Sequence, residues 1–158
     1  EVGCIGENYY EAILKSMLSV GHRIPKKDIL ISSGPTRSKV ELLNSTRMLI
    51  EKGYTIYSTA GTARFFKENG IDTQILYWPD EDKEPNIMEY LHDRKIDLVI
   101  NIPKNHTKRE LDNGYKIRRA AVDYNIPLIT NARLASAFIY AICKVDPAEI
   151  AIKSWDEY

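Results

Sequence analysis

The sequence predicts an α/β fold of three layers, a five-stranded, mainly parallel sheet with helices on both faces. Three observations predict it. Short apolar runs alternate along the chain with longer segments whose apolar residues recur at helical spacing. Gly21, Gly53 and Gly70 each close one of those longer segments, where a glycine ends a helix at little steric cost. The run Asp97-Leu98-Val99-Ile100 is apolar without alternation, as a strand covered on both faces requires. Strands that alternate with helices pair in parallel through right-handed crossovers, and the crossovers carry the helices to both faces.

The elements follow in order. From about Asn8 to Val20, the residues Ala12, Ile13, Met17 and Val20 make an apolar stripe and predict a helix. Residues 22–27 read as a linker, so the chain divides into 1–27, helix and linker, and 28–158, the α/β domain. Ile29-Leu30-Ile31 is the first strand, followed by a helix from Ser38 to Lys52 with Val40, Leu43 and Ile50 turned inward. Tyr54–Ser58 is the second strand, Thr62–Asn69 a short helix and Gln74–Tyr77 the third strand. A helix over Asn86–Arg94 places Ile87, Met88 and Leu91 on one side and leads into the fourth strand at Asp97. Asn113–Tyr124 is helical, Pro127–Ile129 is the fifth strand, and Leu134–Cys143 is the last helix. Glu149–Tyr158 is either a strand or an irregular end.

Composition narrows the function. A chain of 158 residues with 44% hydrophobic content suits one domain with its own core. Twenty-two basic residues balance twenty-two acidic ones, so there is no general attraction to nucleic acid or to an anionic membrane, and any anion site must be local. No apolar run approaches the roughly 20 residues of a membrane helix, and the start Glu1-Val2-Gly3-Cys4 does not read as a signal peptide. Cys4 and Cys143 have neither metal spacing nor a disulfide framework, which fits a reducing, intracellular setting. His22, His92 and His106 are scattered. With no Walker A sequence, GxGxxG or nucleophile elbow, the expectation is no catalytic residue and no metal site.

In parallel sheets, ligands bind beyond the carboxyl ends of the strands, and four segments fall there. Ser58-Thr59-Ala60-Gly61-Thr62 ends the second strand and opens a helix. Free N–H groups at a helix start, with the hydroxyls of Thr59 and Thr62, make a cradle for phosphate or carboxylate; alternatively one threonine only caps the helix. Ser32–Lys39 brings small residues, hydroxyls and Lys39 to the same edge, although taken alone a solvated loop explains it. Asn101–Asn113 reads as a long polar loop holding Asn101, Lys104, Lys108, Arg109 and Asn113, either a ligand loop or an exposed connection. Trp78 ends the third strand, either as a residue of the core edge or as an apolar ligand wall with one N–H donor.

Together, strand–Thr59-Ala60-Gly61-Thr62–helix, Asp97 to Pro103, Tyr115 to Asp123 and Ile126 to Asn131 resemble the methylglyoxal-synthase-like domain. Within that group the chain looks most like the C-terminal allosteric domain of carbamoyl phosphate synthetase large subunits, and the likeness extends over Glu1 to Gly21. The resemblance implies a Rossmann-like fold, with 1–27 as the link from a preceding catalytic region. It implies that Lys39, Thr59 and Thr62 hold the phosphate of a nucleotide effector, with a further contact at Asn101. Trp78 stands where some bacterial members carry a phosphate-binding lysine and animal members carry tryptophan. Lys108 and Asn113 match contacts of N-acetylglutamate, whereas Lys104 departs from an asparagine in that pattern, which favours nucleotide control.

The implied partners are a small anionic effector of the UMP/UTP, IMP or N-acetylglutamate class, the other large-subunit domains and a glutaminase subunit. No cofactor is expected in this domain; ATP, Mg and K belong to the catalytic domains. The implied location is cytoplasmic, or mitochondrial for an animal urea-cycle type. The competing reading is a stand-alone methylglyoxal synthase acting on dihydroxyacetone phosphate. Such synthases carry Gly-Gly-Asp after the third strand and an aspartate after the fourth. Here those regions read Asp82-Lys83-Glu84-Pro85-Asn86 and Asn101-Ile102-Pro103, and only Asp112 lies near a family aspartate. A purine cyclohydrolase fragment would need signature loops this chain lacks.

Overall fold

The computed structural model describes residues 2–104, 107–150 and 153–157. Five strands, β1 (Asp28–Ser33), β2 (Thr55–Ser58), β3 (Gln74–Ile75), β4 (Leu98–Ile102) and β5 (Leu128–Ile129), form one sheet in the order β3-β2-β1-β4-β5. Every pairing is parallel, so the sheet is wholly rather than mainly parallel. Six helices accompany it: α1 (Tyr9–Ser19), α2 (Thr36–Glu51), α3 (Ala60–Glu68), α4 (Ile87–His92), α5 (Lys108–Asp123) and α6 (Ala132–Lys144).

Alternation along the strands builds two cores, because successive strand side chains point to opposite faces. Ile29, Ile31, Ile56, Leu98 and Ile100 meet Leu14, Leu42, Leu49, Phe66, Phe138 and Ile139 on one face. Leu30 and Val99 meet Leu76, Ile87, Leu91, Ile117 and Ala121 on the other. Each fully buried Ile or Leu adds about 1.5–3 kcal/mol relative to exposure. Helix α1 belongs to the first core through Leu14 and Met17 and packs along α6. The linker after it is fastened by Asp97, whose carboxylate accepts the N–H groups of Lys26, Lys27 and Asp28 at 3.1, 2.7 and 3.0 Å.

Several expectations need correction. The third strand ends at Ile75, so Trp78 lies beyond it, and Val20 lies past the end of α1 and is exposed. In α2, Val40 and Ile50 face solvent, and the buried stripe is Leu42, Ser45, Thr46 and Leu49. Two of those four core positions carry hydroxyls, which obscures the apolar period. The hydroxyls are satisfied, Ser45 against Ser136 at 2.6 Å and Thr46 by donating to the Leu42 carbonyl at 2.7 Å. The long loop expected over Asn101–Asn113 is also shorter, because α5 begins at Lys108. Thr107 accepts the Glu110 N–H at 3.2 Å while Glu110 accepts the Thr107 N–H at 3.1 Å, a reciprocal cap that starts the helix inside a polar run. Beyond α6 come two 3-10 turns, Pro147–Glu149 and Trp155–Glu157. His106, and part of the tail left open as strand or irregular, lie outside the described residues. Among the described residues no helix is long and apolar enough to cross a membrane.

Candidate functional site

The strand order reverses between β1 and β4, so the loops after them diverge and leave a crevice. There, Ser32 pairs with Asn101 and Ser33 with Ile102. A cleft of about 280 Å³ opens above these pairs. Six of the eight residues expected at a ligand site line it: Lys39, Thr59, Thr62, Trp78, Asn101 and Lys104. Lys108 and Asn113 stand outside it, in a neighbouring hollow that shares Arg109 with the cleft.

One wall comes from β1, α2 and α3. Thr62 Oγ1 accepts the Ser33 N–H at 3.0 Å and lies 3.2 Å from the Ser33 carbonyl, to which it donates. This hydroxyl therefore pins the start of α3 to the end of β1. Thr59 precedes α3 without capping it; its hydroxyl makes only long contacts, 3.3 Å to Thr62 and 3.4 Å to Ser32, that share one proton. The first N–H groups of a helix have no partner within it, and the positive end of α3 faces the cleft. Ser33 is 5% exposed and its Oγ has no hydrogen-bond partner, a state it shares with the Ser58 and Thr73 hydroxyls, of which it is the one that lines the cleft. Lys39, from the first turn of α2, donates to the Gly61 carbonyl at 3.2 Å and lies over the Phe65 ring. Burial first, and the Lys104 charge second, hold its ammonium below the usual lysine range. A bound anion would reverse that balance.

The other wall comes from β4 and α5. Asn101 is 3% exposed and its Oδ1 accepts from Arg118 at 2.7 Å. A Cβ at Gly114 would sit 2.9 Å from that guanidinium, so a glycine inside the helix makes room for the contact. Gly34 donates to the Ile102 carbonyl at 3.1 Å, and a Cβ there would lie 2.0 Å from the Lys104 Cβ. Only a glycine lets the two loops close on each other at this point. Lys104 pairs with Glu110 at 3.0 Å.

The mouth is formed by Trp78, Glu81 and Arg109. The Trp78 backbone N–H donates to Glu81 at 3.0 Å, and Asn86 donates to the Trp78 carbonyl at 3.0 Å. The Arg109 guanidinium lies 5.3 Å over the Trp78 ring and grips Asp80 through two bonds of 2.5 and 3.1 Å. That hydrogen-bonded guanidinium is the main reason the Asp80 carboxyl is held at a pKa of about 2. Asn113, buried, accepts the Asp80 N–H at 3.2 Å and donates to the Arg109 carbonyl at 3.1 Å. It braces the mouth from beneath. In the sequence, Arg118 carries no assigned role, and Ser33 is placed only within the hydroxyl-bearing Ser32–Lys39 segment. For Arg118 a signal existed, a glycine four residues earlier on the same helix face; for Ser33 the strand-end position was legible but not that its hydroxyl lacks a partner.

A tryptophan, a helix start, two threonines and two lysines meet at the switch point of an α/β domain and line one cleft. The chain belongs to the MGS-like domain family, whose model matches residues 41–130. It is 43% identical over 156 residues to the multifunctional protein CAD of Squalus acanthias and 42% identical over 153 residues to the multifunctional protein URA2 of Saccharomyces cerevisiae. To the human carbamoyl-phosphate synthase [ammonia], mitochondrial, it is 38% identical over 149 residues. These matches take in about 90% of this chain, which spans only 7% of the length of the two multifunctional proteins and 10% of the human synthase. Among solved structures, a methylglyoxal synthase from Elizabethkingia anophelis NUHP1 superposes with a TM-score of 0.51 over 85% of this chain and 90% of that one, at 17% identity, a likeness of fold.

Proposed function

We propose that this domain is the regulatory module of a carbamoyl phosphate synthetase and binds a small anionic effector without performing chemistry itself. The observation that carries the reading is the unpaired Ser33 hydroxyl on the buried floor between Thr59, Thr62 and Lys39. A phosphate or carboxylate there would accept from Ser33, from the start of α3 and from Lys39 together. Nucleotides or N-acetylglutamate fit a cleft with one cationic, hydroxyl-rich end and an aromatic wall. The catalytic domains and a glutaminase subunit would be the partners, and ATP, Mg and K would serve those domains.

The methylglyoxal synthase alternative needs a free carboxylate for proton transfer. The two carboxylates lining the cleft are engaged, Glu81 by the Trp78 backbone N–H and Glu110 by Thr107 and Lys104. Screening UMP, UTP, IMP, phosphoribosyl pyrophosphate, ornithine and N-acetylglutamate by thermal shift tests the proposal, because a ligand selective for the folded state raises the melting temperature. At least one should do so. Methylglyoxal formation from dihydroxyacetone phosphate would refute the reading in favour of the lyase, and a screen without a shift would refute effector binding.

A further inference from the structure

Arg109 lines both the main cleft and the hollow beside it, where it stands with Lys108, Lys116, Asp80, Asp112 and Asn113. Its guanidinium fork is already filled by a carboxylate, that of Asp80, in the two-bond geometry that guanidinium offers to any carboxylate or phosphate. The guanidinium also lies over Trp78, the apolar wall of the cleft. The pair is solvent-exposed, 57% for the arginine side chain and 31% for the aspartate, and exposed pairs hold weakly. Asp80 is carried by the segment after Trp78 and Arg109 by the first turn of α5, so the contact joins two separately anchored elements across the mouth. No protein group besides Asp80 pairs with the Arg109 guanidinium among the described contacts.

We infer that Asp80 is a built-in stand-in for a second anionic group of the ligand, and that Arg109 selects ligands carrying two anions at opposite ends. This rests on the reading of the Ser33–Thr59–Lys39 end as the seat of the first anion. A ligand seated there runs along Trp78 toward the mouth, where its distal carboxylate or phosphate takes the fork and Asp80 swings out to water. A ligand with a single anion leaves the Asp80–Arg109 pair intact and gains nothing at the mouth. Lys108 and Lys116, in the same hollow, add favourable charge for the distal group without the planar fork that would orient it.

The test is calorimetric titration of the domain with alkyl monophosphates and the matching α,ω-alkyl bisphosphates, over a series of short chain lengths. In the parent chain, one bisphosphate length should bind at least about tenfold tighter than its monophosphate, the worth of one charge-assisted bidentate contact. Arg109→Gln should bring that ratio to about one, through a loss of bisphosphate affinity larger than any change in monophosphate affinity. Asp80→Asn removes the competing carboxylate and should raise the ratio above the parent value. Circular dichroism and melting of both variants establish that they fold. If monophosphates bind and Lys39→Ala weakens them, yet no bisphosphate gains or the gain survives Arg109→Gln, the role of Arg109 is refuted and the first-anion site stands. If monophosphates do not bind at all, the first-anion site is refuted and the role of Arg109 with it.

Discussion

At the scale of single residues, Ser33 and Lys39 oppose stability to binding. An unpaired buried hydroxyl costs about 1–3 kcal/mol. Ser33→Ala should therefore leave the unliganded domain as stable or more so, and weaken the best effector by about 1.5–3 kcal/mol; melting with and without ligand reads both. Lys39→Ala should weaken a phosphorylated effector by a similar 1.5–3 kcal/mol, the worth of a hydrogen bond to a charged group. The Lys39 pKa is depressed by burial and by Lys104, so its charged form is disfavoured in the unliganded fold. That cost is present in full below the folded pKa and vanishes as pH rises from there to the unfolded pKa. An anion needs the charged form, so affinity should fall as pH climbs through the alkaline range, and Lys39→Arg should remove the fall. Titration of Trp155→Phe isolates Trp78, whose emission should change on binding; unmoved emission at saturation would make Trp78 only a structural residue packed against the second core. The polar ends of strands announced Lys39, Thr59, Thr62 and Asn101, because the position of a loop in a parallel sheet follows from the order of elements. The contacts of Arg109 with Trp78 and Asp80 were not legible, since they join segments about thirty residues apart and depend on how α5 docks.

At the scale of elements, the start of α5 and the turn at Gly34 place the second wall. Thr107→Ala removes one half of the reciprocal cap and should cost about 0.5–2 kcal/mol in denaturant melts. Because Lys108 and Arg109 lie in the first turn, the same change should weaken any ligand that relies on Arg109. Gly34→Ala drives a methyl into the backbone and Cβ of Lys104, and overpacking of this kind costs about 1–3 kcal/mol. The cleft should widen as well, with weaker effector binding than the loss of stability alone explains. The strands were legible because β1 and β4 are short, apolar and bounded by polar residues. The phase of α2 was not, because Ser45 and Thr46 hold core positions with their hydroxyls turned to partners on the same helix and on α6. The start of α5 was hidden by composition: Thr107 and Glu110 carry the cap signature, but the polar residues around them read equally well as loop.

At the scale of the whole molecule, the walls of the cleft come from two segments far apart in the chain. Residues 28–62 supply one and residues 101–118 the other, and they touch where β1 pairs with β4. An anion between them binds only the assembled form, so at one hundred times its dissociation constant it should add about 2.7 kcal/mol to global stability. Hydrogen exchange should slow in β1 and in β4 together; slowing confined to one wall would contradict a shared seat. The sheet order β3-β2-β1-β4-β5 thus puts a seam through the middle of the domain, with the exposed turn at Asp82–Glu84 lying between the two sequence halves. Cut at that turn, the chain becomes two pieces that each hold half a receptor. The effector would then serve as mortar between them, and the recovery of a whole domain from its parts would report the presence of the ligand.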